Sequence, residues 1–259
     1  MTDQQQPTMK TLFISDLHLD PSQPELIRLA TDFLANHHDA DALYILGDLF
    51  NTWLGDDLIE AAYEPFINAL RQLNQSDVHI YLMVGNRDFM LGERFAEMAG
   101  AELLPDPTLV ELGRHRILLM HGDSLCIDDV QYQRYRKVVR NSFLQWCFLH
   151  LPLSWRQSIS DKIKARSREQ KTFKSAMIMD VNQTEVASVM QQHGVQVLIH
   201  GHTHRPAIHS VADTKSEKYR IVLGDWHNSP SYLCVDDDQF QLVDSRLPDE
   251  QTDLDLSSL

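Results

Sequence analysis

The sequence predicts an α/β protein with two β-sheets sandwiched between helices. Three observations predict it. Short apolar runs alternate with helix-period segments in the first part of the chain, residues 131–192 are almost all helical in pattern, and strands return from Val195 onward.

Taken in order, residues 1–8 form a polar lead-in that is expected to be disordered. "KTLFIS" (Lys10–Ser15) is a short run of the length and composition of a buried strand. "PELIRLATDFLANHH" has apolar residues three and four apart, the helical period. "ALYILG" reads as strand, "LIEAAYEPFINALRQLNQ" as helix and "VHIYLMVG" as strand, and "RFAEMAG" is a helix closed by Gly100. "TLVELGRHRILLMHG" is a β-hairpin turning at Gly113. A helical insertion spans 125–180, and five strands follow: "VQVLIHG", "PAIHSV", "YRIVLG", "SYLCV" and "FQLVD". The tail "PDEQTDLDLSSL" is acidic and apolar-poor, so residues 246–259 are expected to be disordered and one domain to occupy 9–245.

Composition narrows the function. The chain has 259 residues, 43% of them hydrophobic, enough for a substantial core. A net charge of −14 argues against broad nucleic-acid binding, which needs a basic surface. Cys126, Cys147 and Cys234 are odd in number and far apart, as expected of reduced thiols in a cytoplasmic protein. "MTDQQQPTMK" lacks the apolar core of a signal peptide, and "FLQWCFLHLPLSW" is too short to span a bilayer. A monomer is expected.

Five segments share one design, an apolar strand followed by side chains able to bind metal. They are "FISDLHL" (Asp16, His18), "YILGDLF" (Asp48), "LMVGNRD" (Asn86), "LLMHGD" (His121) and "LIHGHTH" (His202, His204). Ligands at strand ends are held by a rigid sheet yet stay open to solvent. Gly47, Gly85, Gly122 and Gly201 beside them permit tight turns. Two aspartates, one asparagine and four histidines are too many for one ion and suit two. The mixture of imidazole and oxygen donors favours Mn, Fe, Zn or Ni over calcium. Asp48, alone on its segment, is the candidate bridge. His202 and His204, two apart in an extended segment, would each serve one ion, with His200 facing the other way. The remaining histidines, His227 among them, read as surface or core residues.

In this order the D-x-H, GD, GN, H and GHxH motifs resemble the calcineurin-like metallophosphoesterases over nearly the whole chain. The resemblance implies a four-layer αββα metallophosphoesterase sandwich, with a dinuclear site above the sheets and the insertion as a helical lid. It implies one ion on Asp16, His18, Asp48 and His204, a second on Asp48, Asn86, His121 and His202, and a bridging water or hydroxide attacking phosphorus in line. Within the family, "ADALYILGDLF", "GNRDFMLGERF", "LLMHGDSLCIDDVQYQ", "IMDVNQ" and "LIHGHTHRPA" look like one branch. That branch uses manganese to split UDP-2,3-diacylglucosamine into 2,3-diacylglucosamine 1-phosphate (lipid X) and UMP in lipid A biosynthesis. The resemblance then implies two Mn2+ ions, and catalytic roles for Asp48, Arg87 and His121. It implies substrate contacts at Asn86, Arg87, Asp129, Ser167, Lys171, Lys174 and His202, and peripheral attachment to the cytoplasmic face of the inner membrane. Asp128 and Asp129 also read as helix N-cap residues. Asn51 departs from the acidic residue of relatives.

Two features add to the resemblance. Many relatives read GNH, the histidine protonating a departing alkoxide, where this chain reads Gly85-Asn86-Arg87. A phosphate monoester has a second pKa near ~6 and can leave unprotonated, and an arginine can clamp phosphate oxygens without donating a proton. Cleavage of a phosphoanhydride is therefore favoured over that of a phosphoserine. Between Gln131 and Lys174, eleven basic residues face two acidic ones, and Phe143, Trp146, Phe148 and Trp155 lie among them. Such a mixture suits a membrane surface or an anionic amphiphile, or else a solvated hairpin packed on the core. The competing readings are a general phosphodiesterase or phosphatase and a non-catalytic scaffold of the same fold.

Overall fold

The computed structural model describes residues 9–171, 180–211, 217–248 and 252–257. Two sheets carry the fold. The first has seven strands in the order β12-β11-β10-β1-β2-β3-β4, from β1 (Lys10–Ile14), β2 (Ala42–Leu46), β3 (His79–Met83), β4 (Ala101–Leu104), β10 (Tyr232–Asp236), β11 (Gln239–Val243) and β12 (Asp253–Asp255). The second has five in the order β5-β6-β7-β9-β8, from β5 (Thr108–Leu112), β6 (His115–Met120), β7 (Val197–His200), β8 (Ala207–Ser210) and β9 (Tyr219–Val222).

Strand alternation sorts the apolar side chains into layers. Leu12 and Ile14 of β1, Leu43 and Ile45 of β2, and Ile80 and Leu82 of β3 face outward, onto α1 (Pro24–Ala35), α2 (Glu64–Gln75) and α3 (Glu93–Ala99). Their neighbours Phe13, Tyr44, Leu46 and Met83 point inward and meet Ile117, Leu119, Val197 and Ile199 of the smaller sheet. The far side of that sheet, through Leu118, Met120 and Leu198, packs on Val186 and Met190 of α7 (Gln183–His193). Helices, sheet, sheet and helix make the four layers. Strands buried on both faces explain why their runs are continuously apolar.

The parallel strands position the site. β1, β2 and β3 run parallel, as do β6 and β7, so the loops leaving their C-terminal ends gather at one edge of the sandwich. The insertion forms α4 (Val130–Val139), α5 (Ser142–Leu149) and α6 (Leu153–Lys171). Three of its basic residues are tethers instead of parts of a solvated face. Arg136 Nε donates to Asp123 (2.9 Å), Arg140 Nη2 donates to the carbonyls of Val84 and Gly85, and Arg156, 3% exposed, binds Leu54 O and Asp57.

Three local expectations are corrected. The helix expected from Leu58 begins at Glu64 after a 3-10 turn at Ala61–Tyr63, because Pro65 in its first turn has no N–H with which to continue a helix from upstream. β4 adds a strand that the alternating pattern does not announce. The tail is not disordered throughout: β12 pairs antiparallel with β11, and Leu256 is fully buried in the inter-sheet core. A single leucine packing at a sheet edge is too small a signal for composition to register. Leu256→Ala should cost about 2–5 kcal/mol and lower the thermal midpoint by about 5 °C or more; an unchanged midpoint would show that the tail does not pack in solution.

Candidate metal centre

Backbone conformation marks the site before any side chain is considered. Among the described residues, seven non-glycine residues have positive φ, and five of them are sequence-predicted ligands: Asp16 (56°), His18 (49°), Asp48 (53°), His202 (67°) and His204 (58°). Left-handed backbone costs on the order of 1–3 kcal/mol per residue and persists only where its surroundings over-determine it. His202 and His204 are therefore not in an extended segment, as alternation would have it. β7 ends at His200, and each histidine is turned into the site by its own left-handed residue.

The loops are laced together. Asp16 N–H donates to Gly47 O (3.1 Å), His18 N–H to Asp48 O (2.9 Å) and Gly201 N–H to His121 O (2.9 Å). Asp88, fully buried, accepts from the N–H groups of Leu49 (2.6 Å), Phe50 (3.3 Å) and Gly85 (2.7 Å), stapling the Asp48 loop to the Asn86 loop. Burial, then the nearby Asp48 charge, push the Asp88 carboxyl up to about 6. Two glycines are required by close approach: a Cβ at Gly85 would collide with Asp48, and one at Gly201 with Ser15 and Asp16.

The side chains gather in two groups. In the first, Asp16 Oδ1 lies 3.2 Å from His204 Nε2 and 3.8 Å from His18 Nε2, and the two Nε2 atoms face each other at 3.1 Å. In the second, Asn86 Oδ1 lies 3.0 Å from His121 Nε2 and 2.7 Å from His202 Nδ1, with Asp48 Oδ1 3.8 Å from His121 Nε2. Asp48 faces both, since its Oδ2 lies 3.8 Å from His18 Nδ1. All seven expected donors converge, and the residues Asp16, His18 and His204, and again Asp16, Asp48 and His121, offer ligand atoms within 4.8 Å of one another.

This donor set fits cations. His18 Nδ1 is a buried polar atom with no hydrogen-bond partner, a costly state that an ion relieves. His121 donates from Nδ1 to Leu46 O (2.8 Å), which leaves its Nε2 lone pair for a metal. Burial pushes His18 and His202 down to about 3, so both are neutral ligands at physiological pH. For His204 burial is outweighed by hydrogen bonds to Asp16 and Asp225, and its pKa rises to about 10. Burial raises the Asp16 carboxyl, but the His204 hydrogen bond and the surrounding imidazoles hold it well below the usual carboxylate range. Imidazole, carboxylate and amide oxygen together suit first-row transition ions.

The other expected residues divide. Arg87 lies at the site's edge, its Nε 3.6 Å from Asp48 Oδ2 and its Nη1 donating to Asn51 Oδ1 (2.7 Å). Asn51 in turn donates to Asp20 (2.7 Å), so it orients Arg87 without neutralising it. Asp129 caps α4, accepting from Tyr132 N–H (3.0 Å). Ser167 and Lys171 fall on α6 with side chains outside the described residues, and Lys174 lies outside them altogether. His200 is fully buried away from the donors, against Arg220 (3.2 Å). His227, expected to be unrelated to the site, lies 2.9 Å from Asp225, which in turn lies 3.1 Å from His204 Nδ1. Sequence reasoning missed Asp225 and Asp88. Asp225 had a readable signal, because "IVLGDW" repeats the strand-Gly-Asp pattern of "YILGDLF".

Residues 9–206 match the family model for calcineurin-like phosphoesterases. A protein of Pseudomonas entomophila named UDP-2,3-diacylglucosamine hydrolase is 48% identical over 235 residues, 90% of this chain and 97% of that protein. One of the same name from Escherichia coli O7:K1 is 46% identical over 236 residues, 91% of this chain and 98% of its own length.

Cation uptake at His204 requires its Nε2 lone pair, yet its pKa of about 10 keeps the ring protonated at neutral pH. Binding must therefore expel a proton, and affinity should rise with pH up to that value, by about tenfold per unit for each proton released. Calorimetric titration of chelator-treated protein with Mn2+ near pH 7.5, in two buffers of different ionisation enthalpy, should show release of at least one proton; uptake without proton release would contradict the site's electrostatics.

Proposed function

This chain belongs to the calcineurin-like phosphoesterase family and is a hydrolase, and from that premise we propose that it cleaves the pyrophosphate of UDP-2,3-diacylglucosamine to 2,3-diacylglucosamine 1-phosphate and UMP, serving lipid A biosynthesis. Relatives of matching name over nine-tenths of the chain support the substrate. The structural observation that carries the reaction class is Arg87, a guanidinium fixed by Asn51 beside the donor cluster, at the sequence position where many relatives carry a histidine.

Two bound cations, Mn2+ in this reading, would supply Lewis acidity and a water of lowered pKa. Asp16, His18, Asp48 and His204 would hold one and Asp48, Asn86, His121 and His202 the other; the two Asp48 oxygens face the two groups of side chains. Arg87 clamps the oxygens of the α-phosphate as charge develops there. It has no proton to give, and none is needed, because the departing phosphate monoester, with a second pKa near ~6, is stable as an anion at neutral pH. Asn86, Arg87, Asp129 and His202 are assigned to substrate, as are Ser167, Lys171 and Lys174 of the insertion.

The insertion supports an amphiphilic substrate. Phe143 (67% exposed), Trp146 (57%) and Trp155 (62%) stand out from α5 and α6, with Leu144, Leu149, Ile159 and Ile163 also exposed. Apolar surface of this kind on a solvent-facing helical layer marks a binding surface. In this reading it acts as a lid that takes the acyl chains and rests on the cytoplasmic face of the inner membrane. Among the described residues no helix is long and apolar enough to cross a membrane.

Products formed in 18O-water with Mn2+ should carry the label in UMP, and Arg87→Ala should lower kcat by about 10²-fold or more with Mn2+ content unchanged. Label in the lipid phosphate would place the attack on the other phosphorus. Brisk hydrolysis of aryl or seryl phosphomonoesters, with none of pyrophosphates, would sink the proposed reaction class.

A further inference from the structure

We infer that Asp225 is a positioning residue for the first cation: its carboxylate fixes the tautomer of His204, and Arg246 fixes Asp225. The inference rests on the two-cation reading above.

Asp225, 8% exposed, sits in the loop after β9. Its Oδ2 lies 3.1 Å from His204 Nδ1. An ionised carboxylate only accepts hydrogen bonds, so His204 carries a proton on Nδ1 and turns Nε2 to Asp16 Oδ1 and His18 Nε2. A carboxylate behind a ligating imidazole fixes its orientation and raises its basicity. His121 in the other group has a backbone carbonyl in that place. Each cation group therefore contains one imidazole aligned from behind, by different chemistry.

The support extends one layer further. Arg246 Nη1 donates to Asp225 Oδ1 (2.8 Å) and its Nη2 to Asp225 O (3.2 Å), while Nε and Nη2 also grip Asp244 (2.8 and 2.6 Å). Gly224 admits this packing, since a Cβ there would collide with Arg246, Asp244 and Ser231. Trp226 N–H reaches Asp16 O (3.3 Å), joining the loop to the first ligand of the same group. Arg246, from a segment that composition reads as disordered tail, thus belongs to the metal centre.

In Asp225→Asn, Arg246 claims the remaining oxygen and the amide NH2 faces His204 Nδ1. That nitrogen must then accept, and the proton moves to Nε2, where it blocks the ion. Chelator-treated full-length protein should be titrated with Mn2+ alone, with calorimetry for affinity and electron paramagnetic resonance for coupling between ions. The native chain should bind two ions and show the exchange-coupled signal. Asp225→Asn should keep one ion at native affinity, bind the other about 10–100-fold more weakly, and show a mononuclear signal at one equivalent of added metal per site. Arg246→Gln should weaken the same ion to a lesser degree, and it carries the test should Asp225→Asn not fold. His227→Gln, which removes only the exposed neighbour of the same carboxylate, should leave both ions in place. Native affinity for both ions in Asp225→Asn, or equal weakening of both, overturns the inference alone; a native chain that takes up no Mn2+ overturns the two-cation reading and the inference with it.

Discussion

The rest of the structure depends on five candidate ligand residues held in left-handed backbone at the ends of parallel strands. At about 1 kcal/mol or more apiece, their combined cost is comparable with the roughly 5–15 kcal/mol net stability of a whole domain. Aspartate and histidine adopt that conformation more readily than most residues, but local preference alone does not hold five of them in it. It is imposed by hydrogen bonds between neighbouring loops, by the Asp88 staple, and by glycines that let Asp16 and Asp48 approach the backbone of distant segments. Those loops in turn stand on a double sheet whose inner faces form one continuous core, from Phe13 and Tyr44 on one side to Ile117 and Ile199 on the other.

Much of this was legible in the sequence, for definable reasons. Strands buried on both faces are apolar throughout, and each candidate donor follows the end of one, so the fold class and the gathering of the seven candidate donors could be read. Conformations and partners set by tertiary contact could not. The extended reading of His202 and His204 fails because alternation stops at His200, where β7 ends and the loop begins. The tail reads as disordered because its composition is acidic, yet Leu256 fills one position in a core assembled from residues far away in the chain. Arg246 is an ordinary charged residue until the segment after β11 brings it against Asp225, behind His204.

The insertion shows the same division between composition and geometry. Its mixture of basic and apolar residues suits a membrane surface, an anionic amphiphile or a solvated hairpin, but Arg136, Arg140 and Arg156 serve as anchors to Asp123, to the carbonyls of Val84 and Gly85, and to Asp57. Tyr132 of α4 donates to Asp123 and its ring lies 6.0 Å from that of His202. The insertion is thus joined to the loops that carry Asn86, His121 and His202, while its Phe143, Trp146 and Trp155 side chains are exposed. The exposed apolar surface of the insertion and the donor cluster are joined by direct contacts.

The most direct measurement is anomalous diffraction from crystals of the full chain grown with Mn2+. Two peaks roughly 3.5–4 Å apart are expected, one among Asp16, His18 and His204, the other among Asn86, His121 and His202, with Asp48 between them. A single peak, or ions bound elsewhere while these side chains keep contact only with one another, would contradict the two-cation reading.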